Sequence, residues 1–462
     1  MEPWHYWFLV AAPLRAAFPR TRTYLWFLTA LAGFCVRGDL LGVTSFVRGL
    51  GLQAKCYDRL LDMFHCAGLD FKILRKLWVQ TVLKFAGCMA WRVNGRLVAV
   101  GDGVKNPKSG RKMPGVKRLH QESESNTKPE YIFGHSLQAI SLLLNFRGQA
   151  FAIPLGVEIH EGVVFSNRCR KTLLDRMLEM LGALGLGQPV YLALDAYYGS
   201  RKMILGLLAA GGHLVTRMKG NAVAYRRPGK THNRRGRPRI YGEKVRLAEL
   251  FAKGDGWRTE TMDLYGKPEK LECLALRLLW RPAGREVLFV LVRMADGRKC
   301  VLMCSDPALN PLLVIRIYAA RFKIEVGFKA AVHVVGSLGY HFWMSAMKPI
   351  SRKGGDQHLH RETKEYRDAV KRKLGAYHNF MQTGVVAQGI MMMLALVKPK
   401  IVWGNFRSWM RTMNQSGIPS EWVVAQSLAS TLPEFLRDAQ ENSIWAKFIR
   451  QNSDTERGKF AA

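Results

Sequence analysis

The stretch VYLALD, residues 190–195, reads as a strand buried on both faces that ends on a carboxylate. Its run of apolar residues shows no inside–outside alternation, the pattern of a strand in the middle of a covered parallel sheet. Asp195 then falls at the carboxyl end of a strand, where open α/β sheets place their functional groups. The competing reading is a helix N-cap for the segment 201–210, although Ser200 lies closer to that role.

Working outward, RLVAVGD (96–102), HSLQAISLLL (135–144) and AFAIPLGVEI (150–159) are short apolar runs between turn signals, hence strands. Residues 170–184 carry Leu and Met at helical intervals, 201–210 read as a second helix, and 213–218 as a further strand. Three strands, a helix, a strand, a helix and a strand make an α/β layout. Residues 220–307 interrupt it with a basic stretch (225–244) and strand-like runs. The turn Ala295-Asp296-Gly297 joins two of these, 288–294 and 299–305. A helix is expected over about 311–332, with Pro311 suited to its first turn.

The ends read differently. Residues 1–94 are helical, and the segments 39–48 and 56–64 flank a Gly49–Gly51 break; a helix-turn-helix and a plain helical bundle both fit. Residues 351–373 are dense in charge, the segment after them is helical to about 397, and the tail is helical with a break at 417–419 and a frayed end. The divisions are therefore 1–94, 95–219, 220–307, 308–397 and 398–462.

Composition narrows the partner. With 48% hydrophobic and 23% charged residues the chain folds rather than remaining disordered. Lys and Arg number 70 against 35 Asp and Glu, a formal charge of +35 that concentrates polyanions. An anionic membrane or a ribosome-like particle would also attract such a chain. The excess is spread along folded sequence rather than held in a tail, which points to nucleic acid. Eight cysteines without a Cys-x-x-Cys argue against structural zinc. The apolar run 24–36 is about 13 residues, short of the roughly 20 that span a bilayer, and it lacks a signal-peptide cleavage site. A cytoplasmic, nucleoid-associated location follows as an expectation, with no membrane partner.

Phosphodiester chemistry on DNA commonly uses two divalent cations, one for the attacking and one for the leaving oxygen. Hard cations want oxygen ligands, so three carboxylates suffice. Besides Asp195, Asp102 ends the run VAVGDG, where a plain Asp-Gly turn is the alternative. Glu325 lies in YAARFKIEVGFK (318–329). On a helix, Tyr318, Arg321, Glu325 and Lys329 fall within about 80° of one another. A salt-bridged solvent face would look similar.

These acids, their strand–strand–helix setting and the insertion before the glutamate resemble the DDE transposases of bacterial insertion sequences. IYAARFKIEVGF (317–328) is similar to the Tyr-x-x-Arg-x-x-x-Glu part of that group's signature. LALDAYYGS (192–200) and VAVGDGVK (98–105) are similar to the segments bearing the second and first aspartates. The resemblance covers about 95–345. It departs at Val332, where the signature has lysine; Lys329, one turn earlier on the same face, is the candidate substitute.

The resemblance implies an RNase H-like α/β fold: a mixed sheet with flanking helices, a mostly β insertion before the last catalytic helix, and helical N- and C-terminal regions. It implies that Asp102, Asp195 and Glu325 bind two Mg²⁺ (or Mn²⁺) ions and that Tyr318 and Arg321 contact DNA phosphate. The implied reaction is cleavage at transposon ends and transfer of the freed 3′-hydroxyl to target DNA, by a homo-oligomer on double-stranded DNA. A nuclease that cuts without rejoining, or an inactive DNA-binding copy, are the alternatives.

Arg235-Gly236-Arg237-Pro238-Arg239 resembles an AT-hook, whose arginines enter a narrow minor groove; a basic loop touching phosphates is the plainer reading, and in both Arg235, Arg237 and Arg239 contact DNA. Trp257 and Trp280 are candidates for base stacking or for core packing. Residues 105–111 lack the Gly-x-x-x-x-Gly-Lys pattern, and no Ser or Cys nucleophile signature is present, so no ATP dependence is expected.

Overall fold

The computed structural model describes residues 3–121, 129–229, 239–252, 255–264, 266–408, 413–438 and 443–454. The strands in chain order are β1 Arg92–Val93, β2 Arg96–Pro107, β3 Lys117–His120, β4 Tyr131–Phe146, β5 Gln149–Ile159, β6 Val190–Leu194 and β7 His213–Arg217. The intervening segment then supplies β8 Val223–Tyr225, β9 Lys244–Arg246, β10 Arg258–Leu264, β11 Lys267–Trp280, β12 Arg285–Met294 and β13 Lys299–Cys304.

Strands β5, β4, β2, β6 and β7 lie side by side in that order. The first three form an antiparallel meander, and β6 and β7 run parallel to β2. Helices Leu173–Leu184 and Arg201–Ala209 make the two crossovers. This is an RNase H-like core. VYLAL is buried at every position, as a strand with neighbours on both edges and cover on both faces requires.

The insertion does not stand apart. β13 pairs with β7, so the hairpins β10–β11 and β12–β13 extend the core into one sheet, of 13 strands among the described residues. The hairpin turn is where the sequence places it, with Gly297 at φ +84°. Trp280 is buried, and Trp257 is covered by the Arg293 guanidinium 3.8 Å from its ring, so neither is presented for base stacking.

Three sequence expectations need correction. The strand through Asp102 does not end there: it continues to Pro107 against β4, so Asp-Gly is not a hairpin turn. The helix expected over 39–48 is confined to Thr44–Gly49. The helix expected over 311–332 is two, Pro311–Ala320 and Phe322–Ala330, meeting at Arg321, followed by a π-turn over Ala331–Val335.

Beyond Pro107 the chain leaves β4, and β3 takes its place on the same edge; Gly134 faces Pro107 in one pairing and Lys117 in the other. A Cβ at Gly134 would lie 2.1 Å from the Asn106 carbonyl oxygen, so only glycine permits this handover.

The two chain ends, read separately in sequence, build one helical unit. Trp4 Nε1 donates to the Leu428 carbonyl at 3.1 Å, and Trp445 Nε1 donates to Thr29 Oγ1 at 3.2 Å. Phe46 and Phe64, from the two segments that suggested a helix-turn-helix, pack on Phe380 of helix Lys364–Val397. That 34-residue helix is long and apolar enough to cross a membrane, but 94% of its most apolar window is buried inside the fold, where it packs on β5.

Candidate active site

The register Val100 to Ala193 between parallel strands β2 and β6, carried two residues further, aligns Asp102 with Asp195. A Cβ at Gly101 would meet Leu194 and Met177, so Gly101 faces helix Leu173–Leu184. By strand alternation Asp102 points to the opposite face, where helix Phe322–Ala330 packs on β2 and β5. The site thus lies where the parallel pairing of β2 with β6 stops.

Local bonds fix both aspartates. Asp102 Oδ1 accepts from the Gly103 amide at 2.8 Å. Asp195 Oδ1 accepts from the Tyr197 amide at 3.1 Å, which makes it the N-cap of a short 3₁₀ turn, while Ser200 caps the next helix by accepting from the Met203 amide. The cap of the helix at 201–209 is therefore Ser200; Asp195 directly follows strand β6 and caps only the 3₁₀ turn Ala196–Tyr198. Thr216 Oγ1 donates to the Asp195 carbonyl at 2.7 Å, and Gln138 Nε2 donates to Tyr198 Oη at 2.9 Å behind it.

Arg321 brings the third acid in. At the junction of the two helices its guanidinium donates to Asp102 Oδ2 at 2.7 Å and to Glu325 Oε1 at 2.8 Å. Its side chain is 17% exposed, Asp102 16% and Glu325 43%. The Asp102 carboxyl is pushed up to about 6, first by burial and then by the charges of Asp195 and Glu325, which together outweigh the opposing pull of Arg321 and the Gly103 amide. Asp195 and Glu325 thus both act on Asp102 through their charges. Arg321 itself is held more firmly protonated: burial works against its charge, and Asp102, Tyr318 and Glu325 overcome it.

Tyr318 is half-buried one turn before Arg321, with the Arg321 guanidinium 5.9 Å from its ring. Burial raises its hydroxyl pKa, Arg321 and Arg217 oppose that, and Asp195 adds to it. It borders a hollow of about 270 Å³ between helix Pro311–Ala320 and the insertion, with Arg217, Arg298 and Lys299 around it. Lys329 is exposed in the last turn of the Glu325 helix, and Val332 is exposed just beyond. Arg239 is exposed; Arg235 and Arg237 lie outside the described residues.

A cleft of about 470 Å³ at the two aspartates is lined by Lys105, Lys117, Arg118, His120, His160, Glu161 and Tyr197 among others. The sequence reading passed over β3, although the basic run VKRLH (116–120) is a usable signal. It also passed over Glu161, which follows β5 as Asp195 follows β6.

Metal fit depends on donor chemistry. Three carboxylates with mutual repulsion suit hard divalent cations. Among the described residues, however, no three His, Cys, Asp or Glu side chains are drawn close enough to hold an ion as they stand. Arg321 bridges two of the three acids.

A family model described as DDE superfamily endonuclease matches residues 13–274. The chain belongs to the DDE superfamily endonuclease family. The matched span includes Asp102 and Asp195 and ends before Glu325, which the structure links to Asp102 through Arg321. No curated protein matches the chain. Among solved structures, a piggyBac transposase synaptic complex with hairpin DNA is similar at 12% identity, covering 94% of this chain and 75% of that one; its TM-score of 0.36 is too low to support an argument.

Proposed function

We propose that this endonuclease-family chain is a DNA transposase of an insertion sequence, with Asp102, Asp195 and Glu325 as the ligands of two Mg²⁺ or Mn²⁺ ions. One observation carries the reading: the Arg321 fork ties Glu325 to Asp102, and Asp102 lies in register with Asp195. When bound, the ions supply activation of the attacking oxygen and stabilisation of the leaving one. The rest is the work of the chain. The β2–β4 pairing holds Asp102, and the end of β6 and the Thr216 bond hold Asp195, while Lys105, Arg118 and His120 guide the DNA backbone along the cleft. Tyr318, Arg321 and Lys329 take phosphates near the element's end, and Arg235, Arg237 and Arg239 take phosphates or a minor groove further out. Cleavage frees a 3′-hydroxyl, which the same carboxylates then position against a target phosphate. The proposal includes a DNA-bound homo-oligomer holding two ends, and a cytoplasmic, nucleoid-associated location.

The test is an assay with Mg²⁺ on duplex DNA carrying the element's ends, first intact and then pre-cut. Joined product from pre-cut ends, lost in Asp195→Asn with DNA binding intact, is the expected result. Cutting without joining identifies a nuclease, and binding without metal-dependent cutting identifies an inactive copy.

A further inference from the structure

We infer that Arg321 is a resident counter-ion: it occupies the Asp102–Glu325 pair in the metal-free protein, yields those oxygens to divalent metal, and then turns to a DNA phosphate. The inference rests on the metal-ligand reading above and deepens it. Two nitrogens of one guanidinium donate to two carboxylates contributed by a core strand and by the helix after the insertion. The fork reaches the two acids through separate nitrogens, and it presents the planar face that suits a phosphate, which an ammonium does not.

Arg321 takes one oxygen of each acid, Asp102 Oδ2 and Glu325 Oε1, and its charge offsets the attraction these carboxylates offer a divalent ion. Metal and guanidinium therefore compete. Arg321 stands between two helices with its own backbone helical and bonded to Tyr318 and Ile324, so its withdrawal is a side-chain rotation, and it sits one helical turn before Glu325. Leaving the acids would strand a largely buried guanidinium unless another anion receives it. DNA phosphate is that anion. Metal binding and DNA binding should then favour one another, and linkage requires the effect to be reciprocal.

The experiment is calorimetric titration of the full chain with Mn²⁺, with and without a duplex oligonucleotide, for the wild type, Arg321→Lys, Arg321→Ala and Asp195→Asn. Without DNA, both Arg321 variants should bind Mn²⁺ about tenfold more tightly than the wild type. Adding DNA should tighten wild-type binding by a similar factor and change Arg321→Lys little. Arg321→Lys keeps the positive charge, so its gain separates loss of the bridge from loss of charge. Unfolding temperature is the second readout: in EDTA Arg321→Ala should melt below the wild type, and Mn²⁺ should raise it by the larger increment. Equal Mn²⁺ affinity in wild type and Arg321→Lys, with binding abolished in Asp195→Asn, overturns the counter-ion role and leaves the metal site standing. Mn²⁺ binding indifferent to Asp195→Asn overturns both.

Discussion

Two clusters on the same sheet have the same plan and opposite electrostatics. In one, Lys117 bridges Glu161 and Asp356, both at 2.8 Å; in the other, Arg321 bridges Asp102 and Glu325 at 2.7 and 2.8 Å. At Lys117 one cation faces two carboxylates, and their mutual bonds prevail over burial. Glu161 is lowered because its bonds from Lys117 and Ser136 outweigh burial, and Lys117 is raised because Asp356 and Glu161 outweigh burial. At Arg321 a third carboxylate, Asp195, leaves negative charge in excess, and Asp102 is pushed up to about 6. Two carboxylates on one cation make a bridge between elements, whereas a third carboxylate leaves the larger excess of negative charge and an appetite for cations.

The largest expected break in that comparison is catalytic. Asp195→Asn should cut DNA cleavage by more than about two orders of magnitude, beyond the tenfold to hundredfold typical of losing a partner behind a metal ligand. Gel-shift affinity should change little. Full cleavage by that variant would remove Asp195 from the chemistry.

A pH titration sharpens the contrast. In EDTA the folded state binds the Asp102 proton more tightly than the unfolded chain, so stability falls as pH rises through the window from about 4 to about 6 and is flat above it. The full span is of order 3 kcal/mol at about 1.4 kcal/mol per unit. Denaturant melts of the wild type and Asp102→Asn at pH 4 and pH 7 measure it: the variant should lose most of the pH dependence in that interval. Lys117→Met, which leaves two partly exposed carboxylates without their cation, should cost about 1–2 kcal/mol at pH 7. It should leave Mn²⁺ affinity unchanged; a shift in that affinity would merge the two clusters. The smallest effect belongs to Thr216→Val, which removes one bond to the Asp195 carbonyl and should cost about 1 kcal/mol in a melt.

What was legible in the sequence follows the same division. The apolar run 190–194 and the acid after it were readable because a central strand needs no alternation and its end is marked by the change to polarity. The strands and helices of the core, and the β character of 220–307, were readable for similar local reasons. The strand through Asp102 was cut short because Asp-Gly carries a turn signal that pairing with β4 overrides. The break at Arg321 left no mark, since Arg and its neighbours are good helix formers. A rule seeking acids at strand ends would also flag Glu161, and only the position of Lys117, far off in sequence, shows that it is neutralised. Side-chain pairing across long separations is what the sequence withholds.

The most direct test is the anomalous signal of Mn²⁺ in crystals grown with the ion and a duplex carrying the element's ends. Density bridging Asp102 and Asp195 with Glu325 alongside, and Arg321 withdrawn toward a phosphate, is the expected result. Ordered DNA in the cleft with no metal at those carboxylates, in a preparation that cuts, would contradict it.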